Sequence, residues 1–280
     1  QYAIEAFSVN ALDYLLKPVM EKDIVRSVER VKKRRMADFA DKFKSKNKIR
    51  VALFGNLSLY VEDDKEPIHW MTAKCAEVFA FMLLHKDERE ISKGKFMEAI
   101  WTDKDKQKAD INLRSTICRL NKTLRENVAG ISMISTANGY RLDLKDINLE
   151  VEAFELERLA IDSSEVNLEN AELFNRIVLN SKDMLLEDVD SQWCEDWRAK
   201  YHRYFMSAAR KLIDYYLSIN EEPLKMLNII ELMIKHEPYD EDLRELALKL
   251  HYRLGSKKGA KKYYEEYGNI LKRDLRIEPG

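Results

Sequence analysis

The feature that most constrains the fold is a helix-forming segment that runs directly into a hairpin-forming one, between Lys108 and Leu142. At a period of 3.6 residues, one side of the predicted helix is apolar and must face a core. This apolar stripe consists of Leu113, Ile117, Leu120 and Leu124. Residues 131–136 then alternate between apolar and polar, and Asn138 with Gly139 offers a tight turn before a second strand. The sequence therefore predicts a helix followed by a β-hairpin.

The opposite side of this helix carries side chains that can bond to phosphate oxygens and base edges in a DNA major groove. They are Lys108, Asn112, Ser115, Arg119 and Lys122, flanked by Arg114 and Arg125. An ordinary solvated helix has a similar composition, so the helix alone leaves both interpretations open. The hairpin favours DNA binding, because a helix with a hairpin behind it has the form of a DNA-reading helix with its wing. The predicted contacts are Arg114, Ser115, Arg119 and Lys122, then Asn112, Thr116 and, in the hairpin, Arg141. Which of them read bases stays open.

The composition is that of a globular protein with room for two or three domains: 280 residues, 45% of them hydrophobic, with a net charge of −1. No apolar segment approaches the roughly 20 residues needed to span a bilayer, and no signal segment is recognisable, so we expect a cytoplasmic protein without membrane contact. The three cysteines and five histidines have no metal-ligand spacing, and the cysteines are expected to be buried thiols. No catalytic or phosphate-binding motif occurs, so we predict no enzyme, no cofactor and no metal.

The near-neutral net charge hides an uneven distribution. From Glu29 to Arg50 there are ten Lys or Arg residues against three acids, and from Gln107 to Arg125 there are five against one. A clustered positive charge is the property that nucleic acid selects, so position matters more than the sum.

The first 35 residues predict a helix, an apolar strand from Ala11 to Leu16, and an amphipathic helix from Glu21, with Lys17 and Pro18 directly after the strand. This segment resembles the end of a response-regulator receiver domain. The resemblance implies that Lys17 contacts an acyl phosphate and that Tyr14 is the aromatic switch residue. The phosphate-accepting aspartate belongs to earlier strands of that family, so we expect this sequence neither to accept phosphate nor to hold Mg²⁺. We predict a receiver fragment over residues 1–36 and a linker over 37–48.

Three short strand candidates follow, at residues 50–54, 57–62 and 67–70, and predict a small antiparallel sheet. Thr72 and Ser92 are predicted N-caps of the next two helices, 73–85 and one ending near Trp101. The motifs that carry a resemblance to the OmpR-type winged-helix output domain are Ile91-Ser92, Ala99-Ile100-Trp101 and Gly139-Tyr140-Arg141-Leu142. We predict this domain over residues 49–145. One departure is Leu120-Asn121, where the family often has Leu-Arg, and we expect Arg119 and Lys122 to supply the missing backbone contact.

Beyond Asn148 the sequence predicts helices only, and it resembles itself at an offset of 34 residues, the period of tetratricopeptide-like hairpins. The matched positions are Leu212 with Leu246, Tyr216 with Leu250, Met226 with Ala260, and Ile229-Ile230 with Tyr263-Tyr264. The motifs Val151-Glu152-Ala153-Phe154, Trp193, Trp197 and His236-Glu237-Pro238-Tyr239 resemble the bacterial transcriptional activator domain of SARP-type regulators. We predict this domain over residues 150–280. The tryptophans and the tyrosines at 215, 216, 263 and 264 are expected to pack in its core.

The predicted architecture is multi-domain and mainly α: a truncated α/β receiver fragment, a winged helix-turn-helix and an all-α helical repeat. The resemblances imply a sequence-specific transcriptional regulator of a two-component phosphorelay system. Its expected partners are promoter DNA, RNA polymerase, a second copy of the chain and, for a full-length form only, a cognate sensor kinase. The alternative is a helical-repeat scaffold whose winged helix binds protein. Salt-sensitive affinity for duplex DNA separates the two.

Overall fold

The structure is a computed structural model that describes residues 47–61, 64–128, 130–144, 147–162, 165–220 and 222–277. The predicted receiver fragment, including Tyr14 and Lys17, and nearly all of the predicted linker lie outside the described residues.

Within these ranges the fold is mainly helical, with two small sheets, as predicted. The strands are β1 (Asn47–Ala52), β2 (Ser58–Val61), β3 (Ile91–Ser92), β4 (Ile131–Ser135), β5 (Gly139–Leu144) and β6 (Ile147–Val151). The first helices are α1 (Ala73–Leu84), α2 (Lys93–Ile100) and α3 (Lys106–Asn127). The later helices are α4 (Glu152–Ile161), α5 (Ala171–Asn180), α6 (Trp193–Ile219), α7 (Pro223–His236), α8 (Glu241–Arg253) and α9 (Lys257–Asp274). None of the described helices is both long and apolar enough to cross a membrane.

The first sheet differs from the predicted one. Its strand order is β2-β1-β6, with β1 antiparallel to β2 and parallel to β6. The predicted third strand at 67–70 does not form, since Pro67 has no N–H to donate and this segment joins β2 through the bond from Ile68 N to Leu59 O (2.8 Å). The prediction of helices only beyond Asn148 is also wrong at β6, where Val151 pairs with Val51.

The helices α1, α2 and α3 begin at residues that cap them. The Thr72 and Ser92 side chains accept hydrogen bonds from Cys75 N (3.3 Å) and Lys95 N (3.1 Å), which confirms both predicted caps. The Asp105 carboxylate accepts from Lys108 N (3.0 Å) and sets the start of α3. The same backbone bond is the largest cause that lowers the pKa of Asp105 below its ordinary value.

The second sheet contains the predicted hairpin. Strands β4 and β5 pair antiparallel, with Ser135 opposite Tyr140, which confirms the hairpin. The short strand β3 pairs with the other edge of β5, with Ser92 opposite Gly139. The hairpin is therefore anchored to the segment that leads into α2, and α3 packs against β4.

The helical part is built from neighbouring hairpins. Helices α6, α7, α8 and α9 pack each on the next along the chain, through short connections. The offset of 34 residues relates α6 to α8 and α7 to α9, so the predicted repeat is confirmed as two successive helical hairpins. Tyr216 is buried and Tyr215 and Tyr263 are partly buried, as expected, but Tyr264 is 44% exposed and does not belong to the core.

Two carboxylates join the helical part to the preceding part. Glu77 of α1 is buried and accepts hydrogen bonds from Ser191 Oγ (2.6 Å) and Trp193 Nε1 (3.1 Å). The Trp193 ring also meets Phe81 of α1 edge to face, at 4.9 Å between centroids. Trp193 and Trp197 both pack against the core, as predicted, and Trp193 does so where the two parts meet.

The second carboxylate belongs to Glu152, the first residue of α4. Its Oε1 accepts hydrogen bonds from the backbone N–H groups of Leu53 and Phe54, at 2.7 Å each. Nearby, Leu186 N donates to Leu53 O (2.8 Å), and the chain after β1 thereby contacts both α4 and the segment before α6.

Candidate nucleic-acid interface

Helix α3 has a buried side and an open side, as its sequence predicts. The four stripe residues are buried, with Leu113, Leu120 and Leu124 at 0% exposure and Ile117 at 6%. The buried side faces α1, α2 and β4. On the open side, Arg114, Arg119 and Lys122 are exposed, and Asn112 and Ser115 are partly exposed. The predicted DNA-facing residues of α3 therefore share one accessible surface, with one exception.

The exception is Thr116, which corrects the predicted set. Its side chain is buried, with the residue only 4% exposed, and its carbonyl oxygen lies 3.8 Å from the Cys75 Sγ of α1. A buried side chain cannot reach a ligand on the outer surface of α3. We therefore remove Thr116 from the candidate contacts.

The cations of this surface differ in what they already bind. Arg114 pairs with Asp110 at 2.7 Å, while Lys122 lies 3.9 Å from Glu126. Exposed pairs of this kind contribute at most about 1 kcal/mol, so a phosphate can replace the carboxylate at little cost. Arg119 and Arg141, both exposed, make no ion pair with any residue within the described ranges. Their guanidinium groups can therefore bind a polyanion without breaking an ion pair.

Asn121 has a role that sequence reasoning missed. Its Oδ1 accepts from Met133 N (2.7 Å) and its Nδ2 donates to Met133 O (3.0 Å), so both polar atoms of the amide bind one residue of β4. This pair of bonds fixes the hairpin to α3. The departure from Leu-Arg at positions 120–121 was visible in the sequence, but it did not indicate that the replacing side chain turns toward the hairpin.

Two further residues of the open side were not anticipated. Cys118 is exposed, whereas the cysteines were expected to be buried; Cys75 and Cys194 are. Ile111 is 65% exposed, although isoleucine is usually a core residue. Both lie on the line of positions 111, 115, 118 and 122, spaced i, i+4, i+7 and i+11, so helical periodicity could have found them.

No cluster of three or more His, Cys, Asp or Glu side chains suited to a metal occurs among the described residues. The chemistry that this surface offers is therefore electrostatic and hydrogen-bonding: guanidinium and ammonium groups, one amide and one hydroxyl, on a helix that is held against a hairpin.

Comparison with known proteins finds a family match in the C-terminal region. Residues 168–280 match the family described as bacterial transcriptional activator domain. This match supports a transcriptional activator and agrees with the resemblance to SARP-type regulators in the same region.

Two curated relatives share a shorter segment with the chain. They are the sensory transduction protein LytT of Bacillus cereus, 36% identical over 63 residues, and that of Bacillus anthracis, 38% identical over 63 residues. Each alignment covers 22% of this chain and 26% of the relative. The chain thus spans about a quarter of the length of these relatives.

A solved structure shares the fold over most of the chain. Mycobacterium tuberculosis EmbR in complex with a low affinity phosphopeptide superimposes with a TM-score of 0.56, over 84% of this chain and 62% of that one. The two sequences are 20% identical, so this likeness establishes the fold and carries no function by itself.

Proposed function

We propose that the chain is a DNA-binding transcriptional regulator in which α3 is the recognition helix of an OmpR-type winged helix and the hairpin β4-β5 is its wing. The observation that carries the proposal is the open side of α3, where Arg114, Arg119 and Lys122 project from a helix whose other side is fully packed. A helix of this kind fits the major groove, and its cations neutralise phosphates on either side.

The C-terminal helices supply the second half of the proposal. The match to the bacterial transcriptional activator domain supports a role in activation, through contact with RNA polymerase or with a second copy of the chain. The similarity to LytT and the receiver-like residues Tyr14 and Lys17 support a place in a two-component system. We propose that a full-length form receives its signal from a sensor kinase.

The experiment that tests DNA binding is fluorescence anisotropy of the chain on random and promoter-derived duplexes across a salt series. We expect salt-dependent binding that Arg119→Ala/Lys122→Ala weakens at least tenfold. Because two phosphate contacts are lost, the slope of log K against log [salt] should flatten by up to about 2.

The matched control is Lys258→Ala/Lys262→Ala on α9. It removes the same charge from an exposed helix, and Lys262 lies 3.6 Å from Glu266 much as Lys122 lies near Glu126. We expect the control to bind like the wild type. Absence of binding at low salt, or equal losses in both variants, would contradict the proposal and favour the helical-repeat scaffold.

A separate prediction concerns Arg141 in the proposed wing. Arg141 is exposed on β5, where we propose that it binds phosphate, so Arg141→Ala should weaken binding to cognate and random duplexes by the same factor. The salt slope should flatten by about 1. Parallel titrations on the two duplexes check this, and a loss confined to the cognate duplex would assign Arg141 to base reading instead.

A further inference from the structure

Ile111 is the one hydrocarbon side chain among the exposed residues of α3, a helix that the structure describes completely. The other exposed positions of the helix are charged, amide or thiol side chains. At 65% exposure, Ile111 leaves most of its apolar surface in water, on the face where the proposed function places the DNA. A single exposed isoleucine is common on protein surfaces, so its meaning depends on its neighbours.

The neighbours of Ile111 indicate what could cover it. Along its face, Ser115, Cys118 and Lys122 follow at i+4, i+7 and i+11, while Lys108 and Arg114 stand on either side of it in sequence, with side chains 74% and 65% exposed. An apolar protein partner would have to desolvate the ion pairs of these cations with Asp105 and Asp110 and would offer them no new polar contact. A DNA major groove instead offers phosphates to the cations and, on its floor, an apolar group to the isoleucine.

That apolar group is the 5-methyl of thymine, which is the methyl that the standard base pairs present in the major groove. Resting on the proposed function, we infer that Ile111 contacts a thymine methyl and so contributes to sequence specificity. In this assignment Arg119 and Lys122 supply affinity, and Ile111 distinguishes thymine from the other bases at one position. No hydrogen bond is required, since the discrimination comes from burial of two apolar surfaces.

The test replaces thymine with uracil, which removes the methyl group and leaves the Watson–Crick edge unchanged. Duplexes are first selected from a randomised pool with the wild-type chain, and each thymine of the selected site is then replaced singly by uracil. We expect replacement at one position to weaken wild-type binding about threefold to fivefold, the effect of losing roughly one buried methyl. The Ile111→Ala variant should bind the thymine and uracil duplexes equally.

The control variant is Ile161→Ala, which changes the same residue type at 66% exposure at the end of α4. It should keep the full response to uracil. If wild-type and Ile111→Ala chains respond alike to every uracil replacement, or if the selected site has no thymine, the inference is overturned while DNA binding stands. If no duplex is selected at all, the proposed function fails and the assignment of Ile111 fails with it.

Discussion

Replacing Gly139 with alanine should destabilise the protein by about 3 kcal/mol, within the upper range of overpacking substitutions. A Cβ at this position would lie 1.9 Å from Ile91 O, 2.7 Å from Ile91 C and 2.9 Å from Ser92 Cα. All three are backbone atoms of β3, so no side-chain rotation can relieve the contact. The pairing of Ser92 with Gly139 must open, and the hairpin loses its attachment to the segment before α2.

Urea unfolding, monitored by circular dichroism, measures this loss, and Gly94→Ala is the matched control. Gly94 lies in the first turn of α2, and its added Cβ would meet Ser92 Oγ at 3.8 Å, an ordinary contact. Because alanine is the better helix former, Gly94→Ala should be neutral or stabilise by up to about 1 kcal/mol. Equal stabilities of the two variants would show that β3 moves away from the added Cβ without loss of stability, and would contradict the prediction.

The Gly139→Ala variant also tests the hairpin that we propose as the wing. Arg141 lies two residues further along β5, and β5 pairs with β3 on one edge and β4 on the other. Under the proposed function, Gly139→Ala should weaken DNA binding in the anisotropy assay even where the protein remains folded, whereas Gly94→Ala should not.

Local sequence patterns predicted the fold best where an element is determined by residues close to one another in sequence. The stripe Leu113, Ile117, Leu120 and Leu124 fixed which side of α3 is buried, and the side chains of Thr72 and Ser92 marked two helix starts, because periodicity and capping act within a few residues. The hairpin was predictable for the same reason. Its strands are adjacent in sequence. The predicted turn at Asn138 and Gly139 was partly wrong, since Gly139 belongs to β5 and residues 136–138 connect the strands.

The features that sequence reasoning missed depend on distant partners. Strand β6 pairs with β1 across about a hundred residues, and a parallel pairing of this kind leaves no turn signal between its strands. Thr116 was misjudged because α3 packs against α1 as well as β4, which makes its buried side wider than the leucine stripe. From the sequence alone, Asn121 is expected to face solvent, and only the structure shows that its amide bonds to the backbone of Met133.

Glu152 should make the stability of the protein depend on pH between about 4.5 and 7. Burial raises the pKa of this carboxyl from 4.5 to about 7, against the N–H groups of Phe54 and Leu53, which lower it. Asp183 adds to the rise, and Arg50 opposes it. The free-energy cost of burying the ionised carboxylate therefore exceeds the stabilisation that it gains from the two backbone donors.

The direction of this pH dependence follows from the number of protons that the folded and unfolded states bind. Between the ordinary pKa and the raised one, the folded state holds a proton that the unfolded state has lost, so stability falls as the pH rises through this window. Below pH 4.5 both states are protonated and the contribution is complete; above about 7 it is gone. A shift of this size corresponds to a loss on the order of 3 kcal/mol.

The comparison that isolates this effect is urea unfolding of the wild type and Glu152→Gln from pH 4.5 to pH 8. Glutamine keeps a carbonyl oxygen for Leu53 N and Phe54 N but cannot ionise, so the variant should lack this part of the pH dependence. Other titrating groups, including His85 and His202, whose burial lowers their pKa, are common to both chains and cancel in the difference.

The stability difference should therefore move in favour of Glu152→Gln as the pH rises, and parallel curves would mean that the two backbone donors hold the carboxyl ionised throughout. Because the Glu152 carboxylate joins the end of β1 to the start of α4, we expect its ionisation to weaken this contact.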